Sequence, residues 1–291
     1  MEKIGFVFDE GADLPEEIIK EHQVAIVRFK MDWPDLESMP GENTFQKMKE
    51  LEKKETKSFG KTSQPSPKDF LEAFKYQLDR FEKVLCVTIS SKLSGTYNSA
   101  IQASLILEPE GKRIFIVDSL NATSGEGLVV LKTIDLVKEG RMVEEIVEEL
   151  KKFIFKINLY GMVEDPKWLE ASGRISHAVA DWVRKMQKLG LRPILGMKEG
   201  LVKPIGIKAG AKDIPTALFN QLKAKTEKLR KQGKKIRVAI THADDPSGAQ
   251  RLKETIEREL EGVQVSFVTL VDNVLGIIVG PGCLVLSWAE I

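Results

Sequence analysis

The sequence has few of the residues that announce a function. Two cysteines occur in 291 residues, Cys86 inside an apolar run and Cys283 after "GPG", and neither has the spacing of a metal-binding pair. Both read as small buried hydrophobes, and a reducing cytoplasm is the expected compartment. Three histidines, His22, His177 and His242, are scattered and do not form a ligand set. Charge of one sign is missing too: 44 basic side chains face 43 acidic ones, for a net charge of +1. That balance gives no general attraction to nucleic acid or to an anionic membrane. The longest apolar runs, "VLGIIVG" among them, fall far below membrane-spanning length, and "MEKIGFVFDE" is too short a run for a signal peptide.

The common catalytic signatures are also missing. The sequence contains no phosphate loop, no dinucleotide fingerprint, no H-E-x-x-H and no G-x-S-x-G. Ser94 follows Lys92 and Leu93, so it lacks the glycine-flanked turn that exposes a hydrolase nucleophile. What remains is the balance of a folded protein, 42% hydrophobic and 30% charged, at a length that suggests two domains.

The first half alternates apolar runs at 4–8, 24–31, 84–90 and 113–119 with helical periodicity at 67–81 and 125–140. Near-continuous apolar strands between helices indicate a parallel sheet covered on both faces. The second half reads as two helices within 159–190 broken at Ser172 and Gly173, a hairpin over 191–210 turning at "KEG", then helix 214–232, strand 236–242, helix 247–260 and strand 263–270. The expected fold class is therefore α/β with two domains, 1–160 and 161–291, each a largely parallel or mixed sheet covered by helices.

In parallel sheets ligands bind beyond the carboxyl ends of the strands, and those ends carry small polar clusters here: "FDEGAD", "SSKLSGT" and "DSLNATSGEG". A hydroxyl-rich loop, "KSFGKTSQPSP" (57–67), lies between the second and third of the strands. Two readings of "SSKLSGT" stand. Its hydroxyls cap the following helix, or its glycine lets an anion approach the helix N–H groups. Thr62, Ser63, Ser91, Ser94 and Gly95 together would make a neutral anion site without nucleophile or base, which suits binding better than turnover. Asp9 and Asp118 end strands, where aspartate commonly caps loops, although the position also suits a cation or a hydroxyl partner.

"TSQPSP" (62–67), "ISSKLSGTYNSA" (89–100), "VDSLNATSGEG" (117–127), "SGRIS" (172–176) and a terminal "GPG" (280–282), in that order, resemble the DegV family of bacterial fatty-acid-binding proteins. The resemblance implies a non-enzyme that holds one long-chain fatty acid, with no other cofactor and no metal. The acyl tail would lie between the domains and the carboxylate on hydroxyls of the first. The carboxylate ligands it implies are Thr62 and Ser94, with Ser63 and the Gly95 N–H beside them and Arg174 near the head group; the alternative for Arg174 is a surface ion pair.

Some family members deliver the acyl carboxylate to a kinase subunit, which makes a fatty acid kinase subunit the candidate protein partner. Two departures count against that partnership. Ile278 stands where the family usually has histidine, and Glu10 where it commonly has serine. Two rival readings remain: an enzyme acting on a small carboxylate or phosphate through Asp9, Asp118 or His242, and a regulatory protein whose apolar groove receives a partner helix.

Overall fold

The computed structural model describes residues 3–54 and 58–291; Met1 and Glu2 of the amino-terminal reading and Lys57, which opens the hydroxyl-rich loop, lie outside the described residues. In chain order the elements begin with β1 (Ile4–Asp9), α1 (Glu16–Glu21), β2 (Ala25–Val27), β3 (Lys30–Asp32), α2 (Pro34–Glu37) and α3 (Thr44–Lys53). They continue with β4 (Lys61–Ser63), α4 (Pro67–Leu78), β5 (Lys83–Thr88), α5 (Thr96–Ile106), β6 (Ile114–Asp118), α6 (Ser124–Lys138) and α7 (Val143–Phe153). The remainder is β7 (Asn158–Met162), α8 (Lys167–Ala171), α9 (His177–Lys188), β8 (Arg192–Lys198), β9 (Leu201–Lys208), α10 (Ile214–Lys231), β10 (Ile236–His242), α11 (Pro246–Glu259), β11 (Val263–Leu270), α12 (Asn273–Val279) and β12 (Leu284–Glu290).

The chain forms two compact units. The first comprises Met1–Lys30, Ser63–Ile157 and Glu199–Leu201; the second comprises Met31–Thr62, Asn158–Lys198 and Val202–Ile291. A boundary at residue 160 takes no account of Met31–Thr62, which packs with the second unit. There Phe45 of α3 lies so close to Gly276 of α12 that a Cβ on the glycine would stand 2.6 Å from the ring.

In the first unit all four strands are parallel, in the order β2-β1-β5-β6. Alternation along the buried strands separates two faces. Phe6, Phe8, Leu85 and Val87 pack toward Val129, Ile134 and Ile146 of α6 and α7, while Val7, Val84 and Cys86 pack toward Phe70, Phe74 and Ala100 of α4 and α5. The chain leaves β1 toward β2 and leaves β5 toward β6, so the sheet's topological switch point lies between β1 and β5. The crevice beyond their carboxyl ends is where such sheets bind ligands.

The single strand expected over 24–31 is two, β2 and β3. The break has a tertiary cause: Glu10 accepts the Phe29 N–H at 2.6 Å and the Arg28 guanidinium at 3.2 Å, which takes the backbone out of the ladder.

The second unit is built on a six-stranded mixed sheet, β11-β10-β12-β7-β8-β9, in which β10 and β11 are parallel and β12 runs antiparallel to both β10 and β7. Leu218 and Leu222 of α10 with Leu252 and Ile256 of α11 bury one face against Val238, Ile240, Leu284 and Leu286. The region 159–190 differs from expectation at its start: "LYGM" is strand β7, paired to β12, and only α8 and α9 are helical. The apolar segment before "GPG" is helix α12. It ends at Gly280, whose φ of +79° favours glycine, and a Cβ there would strike the Trp168 indole.

Candidate functional site

Beyond β5 the chain turns through Ser90–Gly95 before α5 begins. Asp118, at the end of β6, accepts the Ser91 N–H at 3.1 Å and the Leu120 N–H at 3.0 Å. Asp9, at the end of β1, accepts the Ile89 N–H at 2.7 Å and the Gly11 N–H at 2.9 Å. Both aspartates thus use their oxygens on backbone donors and hold the loop, as capping residues do. Ser90 ties the loop further: its Oγ donates to the Gly200 carbonyl at 2.7 Å and accepts the Lys92 N–H at 3.2 Å. Three non-glycine residues near these strand ends, Asp13, Leu120 and Thr123, have φ between 47° and 51°. Such backbone is costly, and it clusters at binding sites.

The helix-capping reading of "SSKLSGT" does not describe the start of α5. Gly95 is its N-cap and no side chain caps it, whereas α3, α4, α9, α10, α11 and α12 all have side-chain caps. The Ser94 and Thr96 hydroxyls instead pair with each other at 2.7 Å. The Gln64 amide lies over Gly95: a Cβ there would stand 2.6 Å from its Cδ, so the exposed Gln64 side chain would have to swing aside. The "TSQPSP" and "LSGT" motifs therefore touch through Gln64. Ser63, just before it, is exposed on β4.

In the second unit a pocket of ≈ 320 Å³ is lined by residues that include Thr62, Arg174 and Ile278, together with Phe59, Trp168 and Ile277. Arg174 donates to the Ser172 carbonyl at 2.5 Å and has no carboxylate partner among the described residues. Burial holds its guanidinium below the ordinary arginine range. Among the described residues no ion pair forms at Arg174; the ion pairs of this region belong to Arg184 and His177 with Glu170 and Asp181. Ile278 is buried on α12 and gives the pocket an apolar wall. His242, whose basicity burial lowers, does not line this pocket.

The residues expected from sequence thus fall into two groups, each described in its own unit: Ser63, Ser94 and Gly95 in the first, Thr62, Arg174 and Ile278 in the second. Sequence reasoning did not identify Gln64, Phe59 or Ile277 as site residues. It also missed Glu126, which opens α6 from "TSGEG" and is fully buried, as is Asp9. A glutamate in the first turn of a helix ordinarily reads as a dipole partner, so no local signal marks it.

Burial pushes the Asp9 carboxyl up to about 7, against the lowering pull of the Ile89 and Gly11 N–H groups. Burial, and then the Asp9 charge, drives Glu126 well above its ordinary value. Drawn as a carboxylate, Glu126 has no donor for either oxygen. The protonated form, which burial and the Asp9 charge both favour, needs no donor for its charge. Folded-state values raised above the unfolded ones mean that the folded protein holds these protons more tightly. Asp9's stabilisation is complete below about pH 4 and is lost as pH rises through about 7, and Glu126, driven well above its ordinary value, adds a further loss as pH rises. Glu126→Gln, whose amide supplies a donor without a proton to lose, is expected to flatten this dependence. Urea midpoints at about pH 5 and pH 8 should show wild type losing about 1–3 kcal/mol more than the variant. Equal losses would contradict the assignment of a protonated Glu126.

Residues 3–290 match the family described as "Uncharacterised protein, DegV family". A fatty acid-binding protein of Thermotoga maritima is 30% identical over 287 residues, which cover 96% of this chain and 95% of that one. Among solved structures, one of fatty acid binding by a DegV family protein from Thermus thermophilus superposes with a TM-score of 0.79 at 27% identity, covering 99% of this chain and all of the other. A Thermotoga maritima structure described as revealing a fatty acid binding function gives 0.75 at 26% identity, with full coverage of both chains.

Proposed function

The chain belongs to the DegV family, and from that premise we propose that it binds one long-chain fatty acid, with the carboxylate on the hydroxyls of Thr62 and Ser94 and the N–H of Gly95. Ser63 and Arg174 lie near the head group in this reading, and Ile278 contributes apolar surface. The observation that carries it is Arg174: a half-buried guanidinium that has no acid partner among the described residues, in a pocket it shares with Thr62 and Ile278. A buried cation left unpaired is costly, and an anionic ligand relieves that cost. The uncapped start of α5, with its paired hydroxyls, offers donors of the kind a carboxylate accepts.

The protein acts as a binder rather than as an enzyme, in the cytoplasm. Among the described residues, no helix is long and apolar enough to cross a membrane. A fatty acid kinase subunit remains the candidate partner, with Ile278 and Glu10 counting against it. Glu10 is already engaged by Arg28 and Phe29.

The test is chemical. Ser94→Ala and Thr62→Ala are each expected to weaken palmitate binding by about 1–3 kcal/mol, because a charged acceptor loses a donor in a poorly hydrated site. Hexadecanol, lacking the charge, should lose much less. Calorimetry showing the same loss for the alcohol as for the acid would assign the two hydroxyls to the fold and not to the carboxylate.

A further inference from the structure

The pocket beside Arg174 has one wall whose position is fixed from behind. Ile277 lines it, and its Cδ1 presses on Gly60 so closely that a Cβ on that glycine would stand 2.6 Å away; the same Cβ would meet the Trp33 ring at 2.7 Å. Trp33 is itself buried, and its Nε1–H donates to the Ser58 hydroxyl at 2.9 Å. Ile277 therefore has no room to retreat toward Gly60. Its helix is held as well. The Asp272 carboxylate caps α12 by accepting the Val274 and Leu275 N–H groups at 2.7 and 3.0 Å, Gly276 lies against the Phe45 ring, and Gly280 lies against the Trp168 indole. A β-branched side chain on a helix keeps essentially one rotamer, so Ile277 is a stiff wall. At ≈ 320 Å³ the pocket stands at the small end of the range for ligand sites, roughly 300–1,000 Å³. It sets two polar side chains, Thr62 and Arg174, against apolar ones, Ile277, Ile278 and Trp168. That mixture suits the carboxyl end of an acyl chain, where a charged group and the first methylenes lie within a few bonds of each other.

We infer that Ile277 is a specificity-determining residue: backed by Gly60 and Trp33, it admits acyl chains that are unbranched next to the carboxylate and rejects those with a substituent on the second or third carbon. The inference rests on the fatty-acid reading above, and it concerns the ligand's width near the head group, not its length. A methyl branch there widens the chain where Thr62 and Arg174 fix its depth. To fit, it must either displace Ile277 against Gly60 or lift the carboxylate off its donors, and overfilling a packed site is costly. A branch at the far end of the chain meets neither constraint.

The experiment compares the affinities of palmitate, 3-methylhexadecanoate and 15-methylhexadecanoate for delipidated wild type, Ile277→Ala and Ile277→Val. One carbon more or less in an apolar pocket changes affinity by roughly 10–200-fold, so wild type is expected to bind 3-methylhexadecanoate at least about tenfold more weakly than palmitate. Ile277→Ala should cut that penalty to about threefold or less, because the space it opens accepts the branch. The ratio of 15-methylhexadecanoate to palmitate should stay as in wild type. Ile277→Val, which removes only Cδ1, should fall between the two and supplies the comparison if the alanine variant fails to fold. Palmitate binding with the same 3-methyl penalty in wild type and variants, or with no penalty in wild type, would overturn the inference alone. So would a variant that relaxes toward both branched acids equally, since that is general loosening. Absence of palmitate binding by wild type would contradict the fatty-acid reading itself, and the inference with it.

Discussion

Replacing Trp168 by alanine is expected to lower stability by about 3–5 kcal/mol, the range found when a buried aromatic is cut back to a methyl group. The indole is 4% exposed and sits 5.9 Å from the Trp33 ring and 5.4 Å, edge-on, from Phe59. Gly280 lies so close beneath it that no other residue fits there without displacing the ring. The Lys167 ammonium covers it at 4.9 Å while pairing with Glu52 and Asp165. Few of these contacts survive truncation, and the cavity opens into the pocket beside Arg174. Trp168→Phe keeps an aromatic surface for Trp33 and Phe59 and should lose well under half as much. A urea-denaturation series showing less than about 1 kcal/mol lost by Trp168→Ala would mean that the indole is not part of this core.

The other large effect concerns the ligand. Protein expressed in bacteria is expected to carry a long-chain fatty acid through purification. A sixteen-carbon tail has roughly fourteen methylenes worth about 0.8 kcal/mol each on burial, a gross gain on the order of 11 kcal/mol before ordering costs. A single head-group hydrogen bond is worth about 1–3 kcal/mol. The tail therefore governs retention and the head group governs orientation. It follows that Ser94→Ala should weaken binding measurably yet still emerge from purification with ligand. A variant emptied completely by the loss of one hydroxyl would show that the tail contributes far less than its length suggests.

The first unit was legible because its strands are buried on both faces and read as continuous apolar runs. Its parallel sheet follows from that pattern and from the helices between the strands. The break between β2 and β3 was not legible, since its cause, the Glu10 carboxylate, lies 19 residues from the Phe29 N–H it accepts. Nor was the membership of Met31–Thr62 in the second unit, because α3 meets α12 across more than two hundred residues of sequence. Strand β7 reads locally like the helical segments that follow it, and only pairing with β12 distinguishes it.

The candidate site divides in the same way. Its hydroxyls, glycine and arginine were marked by short motifs. That Arg174 has no acid partner among the described residues, and that Glu126 is fully buried with no hydrogen-bond partner for its oxygens, are properties of tertiary packing, which periodicity does not report. The rival enzymatic reading drew on Asp9, Asp118 and His242. The two aspartates accept backbone N–H groups and hold the loops that follow their strands.

The central claim is that this chain holds one fatty acid, and native mass spectrometry of the freshly purified protein tests it most directly. The account predicts a species heavier than the bare chain by one long-chain fatty acid, released by organic extraction at about one per protein, with added palmitate raising the melting temperature of delipidated protein. A spectrum with only the bare-chain mass, together with no thermal protection by palmitate, would contradict it.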